Sequence, residues 1–129
     1  MYEELTHKII GCSMAVHSFF GNGFQETIYQ RALEMELTDM GLKFSREFEM
    51  KILYKNRKIG TRRVDFFIEE KIMVEIKALI RLEDVHLAQA MNYLQVYNLK
   101  IGLLINFGAK SLEFKRVHNN RIINSDIIK

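Results

Sequence analysis

Residues 63–80 read RVDFFIEEKIMVEIKALI, two apolar runs separated by three charged residues. Runs of β-branched and aromatic residues bounded by polar turns are typical of strands. The second run, 72–80, is apolar almost throughout, which predicts a central strand covered on both faces of its sheet. Each run also contains an acid, Asp65 or Glu75, and Lys77 follows in the second. Because charged side chains are rare in buried strands, these three are candidates for function as well as for structural pairing.

The segments around this stretch predict an α/β fold, a mixed β-sheet flanked by α-helices. The expected elements follow from helical spacing of apolar residues in some segments and from alternating or continuous apolar runs in others. In chain order they are a helix over 3–20, a helix from Asn22 or Gly23 to Gly41, strands over 44–54, 57–68 and 72–80, a helix over 83–98, and strands over 101–107 and 112–117. A strand meander followed by a helical crossover implies antiparallel and parallel pairing in one sheet.

The length of 129 residues suits one domain, expected over 1–118, followed by a tail over 119–129 that is either a frayed end or an edge strand. The single Cys12 excludes an internal disulfide and any multi-cysteine metal site. There is no apolar run of transmembrane length and no basic-then-apolar leader, so we expect a cytoplasmic location. A net charge of +3 and a pI near 9.0 lean mildly toward polyanionic partners.

Whether the two acids meet depends on the loop between their strands. If Ile68 pairs with Ile72 around a three-residue loop, Asp65 lies opposite Glu75, and opposed residues share a face of the sheet. A two-residue turn would instead place Asp65 opposite Val74 and send Glu75 to the other face. Convergence of the carboxylates therefore requires an odd loop or a bulge.

Converging carboxylates need a compensating partner, because two anions about 5 Å apart repel by roughly 3 kcal/mol at an effective dielectric constant of about 20. Protonation of one acid, a salt bridge to Lys77, or a divalent cation would each relieve the repulsion. Carboxylate oxygens suit Mg²⁺ or Mn²⁺. Taken alone, the pattern favours a structural Glu75–Lys77 pair beside an edge Asp65.

Two further motifs place polar residues at helical spacing. They are Gly23, Glu26 and Tyr29 in the second predicted helix and His86, Gln89 and Tyr93 in the third. Glu26 either serves the helix N-terminus or reaches a site, and Tyr29 is either a core residue or part of that site. The stripe on the third helix is either a solvated edge or a set of hydrogen-bond donors directed at a phosphate backbone and the site carboxylates.

Together these motifs resemble the GxxExxY family of the PD-(D/E)XK nuclease-like superfamily, from about residue 3 to residue 118. The matching stretches are Gly23–Tyr29, Arg63-Val64-Asp65, Val74–Ala78, the His86–Leu94 helix and Gly102–Gly108. Two positions depart from the family pattern, since Asn22 stands where a proline is usual and no Pro-Asp pair surrounds Asp65. Neither departure removes a charge that the chemistry needs.

The resemblance implies a restriction-endonuclease-like core and a metal-dependent nuclease acting on DNA. It implies that Asp65, Glu75 and the backbone carbonyl of Ile76 hold Mg²⁺ (or Mn²⁺), with Glu26 as a third acid and Lys77 activating the water. By the same resemblance the accessory residues are Gln89, Tyr93, His86 and Tyr29. The alternative is a non-catalytic nuclease-fold module that binds nucleic acid or a partner protein, and a third possibility is a purely structural subunit.

The partner expected of a nuclease is nucleic acid, DNA in the first place. The basic residues Arg62, Arg63, Lys110, Lys115 and Arg116 are either phosphate contacts or scattered solvated charges. A second copy of the chain is a candidate partner as well, because one catalytic centre cuts one strand.

Overall fold

A computed structural model describes residues 2–120, which form three helices and five strands. The elements are α1 (Tyr2–Phe20), α2 (Glu26–Asp39), β1 (Phe44–Tyr54), β2 (Arg57–Ile68), β3 (Ile72–Lys77), α3 (Asp84–Val96), β4 (Ile101–Asn106) and β5 (Glu113–His118). The strands form one sheet in the order β1-β2-β3-β4-β5. The β3–β4 pair is parallel and the others are antiparallel. The predicted mixed sheet, with the most apolar strand at its centre, is confirmed.

Helices cover both faces of the sheet, so each face has its own core. The main core lies between the sheet and α1 and α2; among its members are Ile9, Leu33, Phe66, Val74 and Ile105. The second core lies between the sheet and α3, and its buried residues are Met50, Val64, Met73, Ala90, Leu94 and Val117. Neighbouring residues of β3 therefore face opposite cores, as the alternation of a strand requires.

The second helix begins later than predicted. It starts at Glu26 with Gln25 as the N-cap, so Gly23 lies in the preceding loop and does not share a helical face with Glu26. The Tyr29 hydroxyl holds this loop, since it accepts a hydrogen bond from the Phe24 N–H at 3.1 Å and donates one to the Gly21 carbonyl at 2.6 Å. These bonds keep the loop out of the helix.

The buried face of α2 consists of Tyr29, Leu33 and Leu37, spaced four residues apart, together with Gln30. Ile28 lies about 100° around the helix from Tyr29 and is exposed, although it is apolar. Just past this helix, Gly41, the predicted end of the helix, has a φ of +78°, the left-handed conformation usual at a helix C-terminus.

The third strand ends at Lys77, three residues before its predicted end. The buried Asn106 side chain accepts the Leu79 N–H at 2.8 Å and donates to the Leu79 carbonyl at 3.0 Å, which takes residue 79 out of the ladder. No helix in the described part of the chain is both long and apolar enough to cross a membrane. Most of the predicted tail, residues 121–129, lies outside the described residues.

Candidate functional site

The loop between β2 and β3 has the odd length that convergence of the acids requires. Ile68 pairs with Ile72 and Phe66 with Val74, which leaves residues 69–71 as a three-residue loop. One step further along this register, Asp65 stands opposite Glu75. The ladder itself stops at Phe66 and Val74, so the two acids lie where the strands begin to separate.

Two reciprocal hydrogen bonds replace the ladder at that point. The Asp65 N–H donates to Oε1 of Glu75 at 3.3 Å, and the Ile76 N–H donates to Oδ2 of Asp65 at 2.7 Å. Each carboxylate thus binds the backbone of the other strand. Main-chain donors therefore help to hold both carboxylates in position.

The strands also change face at this point. On β2, Phe66 belongs to the main core and Val64 to the second core, although the two residues are two apart. On β1, Glu47 has a φ of +54°, a left-handed conformation that is uncommon for a residue other than glycine. The register places Glu47 opposite Asp65, between the pairs of Phe66 and Val64. Asp65 therefore lies at an irregularity shared by both strands.

Arg62 is the ion-pair partner of Glu75, which the sequence did not predict. Its Nη2 lies 2.7 Å from Oε2 of Glu75, and its guanidinium carbon lies 4.7 Å from the centre of the Tyr93 ring. Its Nη1 donates to the Arg63 carbonyl at 2.8 Å, while Nε is buried with no partner in the described part of the chain. Among residues 2–120 no ion pair joins Glu75 to Lys77, so the structural Glu–Lys alternative is not what is found.

Both acids hold their protons more tightly than usual. Burial, followed by the negative charge of Asp65, raises the pKa of Glu75 to about 7, although Arg62 and Lys77 oppose the shift. Burial also raises the pKa of Asp65, against the hydrogen bond from Ile76 and the charge of Arg62. Glu75 is 4% exposed, which explains why loss of water dominates. Buried acids with perturbed pKa values next to specific charges are typical of functional sites.

Glu26 lies near these acids but does not join them in one cluster. The residue is exposed in the first turn of α2, yet loss of water around its carboxyl raises its pKa, and the charge of Asp65 adds to the effect. Across residues 2–120, no group of three or more His, Cys, Asp or Glu side chains is arranged to hold a metal. The structure thus pairs Asp65 with Glu75 and leaves Glu26 at electrostatic range.

Lys77 is the last residue of β3 and is half-buried. Its charge lowers the pKa values of Asp65, Glu75 and Glu26, so all three acids lie in its field. Its carbonyl accepts the Phe107 N–H at 2.8 Å, which holds this end of β3 against the segment that follows β4.

The four accessory residues are in different surroundings. Tyr93 stacks on Arg62, whereas Gln89 is exposed on α3. Nδ1 of His86 accepts the Glu83 N–H at 3.0 Å and so closes the capping box of α3. Tyr29 is fully buried, with its ring stacked on Phe107 at 4.8 Å.

An open groove runs beside Asp65. Its lining residues are Gln30, Glu47, Glu49, Thr61, Arg62, Arg63 and Asp65. Gln30 was missed by the sequence reasoning because a polar residue in an amphipathic helix is expected to face solvent, and here it is buried. A buried glutamate in an apolar strand signals that a cation is near, but spacing along the chain does not identify Arg62 as that cation.

Comparison with known proteins identifies the family. The family model described as the PD-(D/E)XK nuclease superfamily matches residues 3–117. The chain belongs to the PD-(D/E)XK nuclease superfamily. Among solved structures the chain is similar to the crystal structure of SSO0001, with 19% identity and a TM-score of 0.58, over 79% of this chain and 52% of that one. The chain thus spans about half of that protein, and at this identity the likeness concerns the fold alone. No curated protein matches the chain.

Nucleases of this superfamily are generally dependent on divalent metal, so the donor set has to be tested against such an ion. Asp65 and Glu75 supply hard carboxylate oxygens from adjacent strands, and Mg²⁺ in proteins commonly takes only one or two carboxylates and keeps several waters. The pair therefore fits a divalent cation without a third acid. Arg62 engages one oxygen of Glu75, so that oxygen is available to a metal only when the ion pair opens.

Proposed function

We propose that the chain is a nuclease of the GxxExxY type that hydrolyses phosphodiester bonds of DNA and depends on Mg²⁺ or Mn²⁺. The observation that carries the proposal is the pairing of Asp65 with Glu75 through two side-chain-to-backbone hydrogen bonds, with Lys77 beside them. Acids held this closely in a buried strand destabilise the fold when ionised. A cation bound by the two carboxylates would compensate this negative charge.

In the proposed site, Asp65, Glu75 and the carbonyl of Ile76 would hold the ion, with Glu26 of α2 as a third acid. The bound ion would neutralise charge on the phosphodiester and lower the pKa of a water. Lys77 places an ammonium group beside the carboxylates, where it orients the attacking water and offsets negative charge on the phosphate. Tyr93 fixes the guanidinium of Arg62, and Gln89 lies one turn earlier on the same helix, able to contact the nucleic-acid strand.

The test is cleavage of labelled single- and double-stranded DNA with Mg²⁺ or Mn²⁺, and with EDTA as the blank. We expect wild-type protein to cleave, and Asp65→Asn and Lys77→Ala to lose about 100-fold or more in rate, as when a group that stabilises the transition state is removed. Asp39→Asn and Lys71→Ala are matched controls, because both residues are exposed and lie outside the site. Cleavage that is absent from the wild type, or that survives both site variants, contradicts the proposal.

One observation favours the alternative of a non-catalytic module that binds nucleic acid or a partner protein. The Arg62–Glu75 pair, at 2.7 Å, already neutralises the most buried acid of the site. A module of this kind binds DNA in a salt-sensitive manner, shows no metal-dependent turnover, and is indifferent to Lys77→Ala. The cleavage assay separates the two functions directly.

A further inference from the structure

The β1–β2 hairpin extends well beyond the rest of the sheet. Strand β2 pairs with β3 only from Phe66 to Ile68, whereas β1 and β2 continue pairing as far as Tyr54 and Arg57. At the base of the hairpin, Met50 packs in the second core, and its carbonyl accepts the Tyr97 hydroxyl at 3.1 Å. Residues 51–61, here called the hairpin arm, belong to neither core.

The arm is a two-stranded β-ribbon closed by a tight turn. Lys55 and Asn56 have φ values of 51° and 64°, the left-handed pair that a two-residue hairpin turn requires. The pairing register shifts between Ile52 and Leu53, and such a bulge increases the local twist of a ribbon. Lys55, the first residue of the turn, is five positions beyond Met50, so the arm projects roughly 17 Å at about 3.3 Å per residue.

The arm carries positive charge out of proportion to its length. Residues 51–63 contain six basic residues and no Asp or Glu. The whole chain has a net charge of +3, so subtracting the six positive charges of this segment leaves −3 for all the rest. The four basic residues of the arm itself, Lys51, Lys55, Arg57 and Lys58, are all exposed. A basic stripe on an otherwise acidic molecule is the electrostatic footprint of a polyanion-binding surface.

Apolar side chains accompany these charges. Leu53, Tyr54 and Ile59 are 55%, 63% and 67% exposed at the end of the arm. The Lys55 ammonium lies over the Tyr54 ring at 5.5 Å. Apolar and aromatic groups between cations suit a surface that meets sugars and base edges as well as phosphates.

The arm leads directly into the candidate site. Its last residue, Thr61, lines the groove beside Asp65, and the next residue, Arg62, binds Glu75. A strand of nucleic acid that follows the arm therefore reaches the carboxylates. The major groove of B-DNA is about 8.5 Å deep and admits a two-stranded β-ribbon. The projecting length of the arm exceeds this depth.

We propose that the hairpin arm is the duplex-binding element of this protein, inserting into the major groove and guiding the phosphate backbone to the Asp65–Glu75 site. The inference rests on the proposed function, since it names the surface by which that site meets its substrate. A structural alternative is that the charges only protect a free hairpin from pairing with other chains.

The test measures binding of a short fluorescein-labelled DNA duplex by anisotropy, in EDTA, over a series of NaCl concentrations. One variant replaces the four basic residues of the arm with glutamine, and a second replaces them with glutamate, which keeps the hairpin charged and soluble. The control replaces four exposed lysines elsewhere with glutamine: Lys8, Lys43, Lys71 and Lys100. Circular dichroism establishes that each variant is folded.

We expect both arm variants to bind the duplex about 100-fold or more weakly at low salt, and the glutamine variant to lose about three to four from the slope of log K against log salt. The control should stay near wild type. Four outcomes overturn the proposal: equal losses in arm and control variants, no loss in the arm variants, a loss for single strands only, or displacement by polyglutamate as effective as by unlabelled duplex.

The same samples distinguish failure of the arm from failure of the proposed function. If the wild type cleaves DNA with Mg²⁺ and the arm variants bind duplex normally, the proposal for the hairpin arm is wrong and the proposed nuclease function is retained. If duplex binding depends on the arm and no cleavage occurs, the proposal for the hairpin arm is retained and the proposed nuclease function is wrong.

Discussion

The buried glutamate of the site gives a prediction about stability. In the folded protein the pKa of Glu75 rises from 4.5 to about 7, mainly because the side chain is buried. Each pKa unit corresponds to about 1.4 kcal/mol. The difference of about 2.5 between the folded and unfolded states therefore means that the ionised carboxylate destabilises the folded state by about 3 kcal/mol. Because the folded state holds the proton more tightly than the unfolded chain, stability falls as the pH rises from about 4.5 to about 7.

Glu75→Gln removes this titration and keeps a side chain of similar size. Glutamine stays neutral over this pH range. The loss of the ion pair with Arg62 therefore changes the stability of the variant by an amount that does not vary with pH. We expect the free energy of unfolding of Glu75→Gln, relative to wild type, to increase by about 3 kcal/mol from pH 4.5 to above pH 7. Above pH 7 the buried carboxylate of the wild type is ionised, so the folded state is destabilised by the full amount.

The assay is urea unfolding in EDTA at a series of pH values between 4.5 and 8.5, followed by circular dichroism. The matched control is Glu70→Gln, which removes an exposed carboxylate from the β2–β3 loop and should lack the rise expected for Glu75→Gln. A flat difference for Glu75→Gln, or one that falls as the pH rises, would show that burial does not raise the pKa of Glu75.

Two further predictions concern the segments that hold the end of β3. Gly108→Ala should destabilise the protein by about 3 kcal/mol or more, because an added Cβ would overlap the backbone of Leu79; Gly60→Ala, where a Cβ meets open space, should have far less effect in the same urea titration. Asn106→Leu should cost about 3 kcal/mol, since it leaves the half-buried N–H and carbonyl of Leu79 without their partner; a midpoint unchanged from wild type would contradict this.

Strand positions were predictable because the relevant signals are local. The bounds of β1 and β2 and the turn at Lys55 and Asn56 match the expectation, since alternation and a turn-forming pair are read from neighbouring residues. The third strand was predicted too long. Its apolar run continues to Ile80, but the side chain that takes Leu79 out of the sheet belongs to Asn106, far along the chain.

The site was predictable to the extent that register determines it. Counting from a three-residue loop brings Asp65 opposite Glu75, and the structure confirms that loop. The cation beside Glu75 was not predictable, because Arg62 lies beyond the point at Asp65 where β2 changes face. Alternation alone cannot anticipate a change of face.

Isothermal titration calorimetry with Mn²⁺ measures whether the paired acids Asp65 and Glu75 bind a cation. We expect one ion per chain, bound about tenfold or more weakly by Asp65→Asn and by Glu75→Gln, since even outer-shell partners of a metal are worth that much. Asp39→Asn should bind as the wild type does. Mn²⁺ affinity that is undetectable in the wild type, or equal in all four proteins, would show that the two acids do not form a cation site.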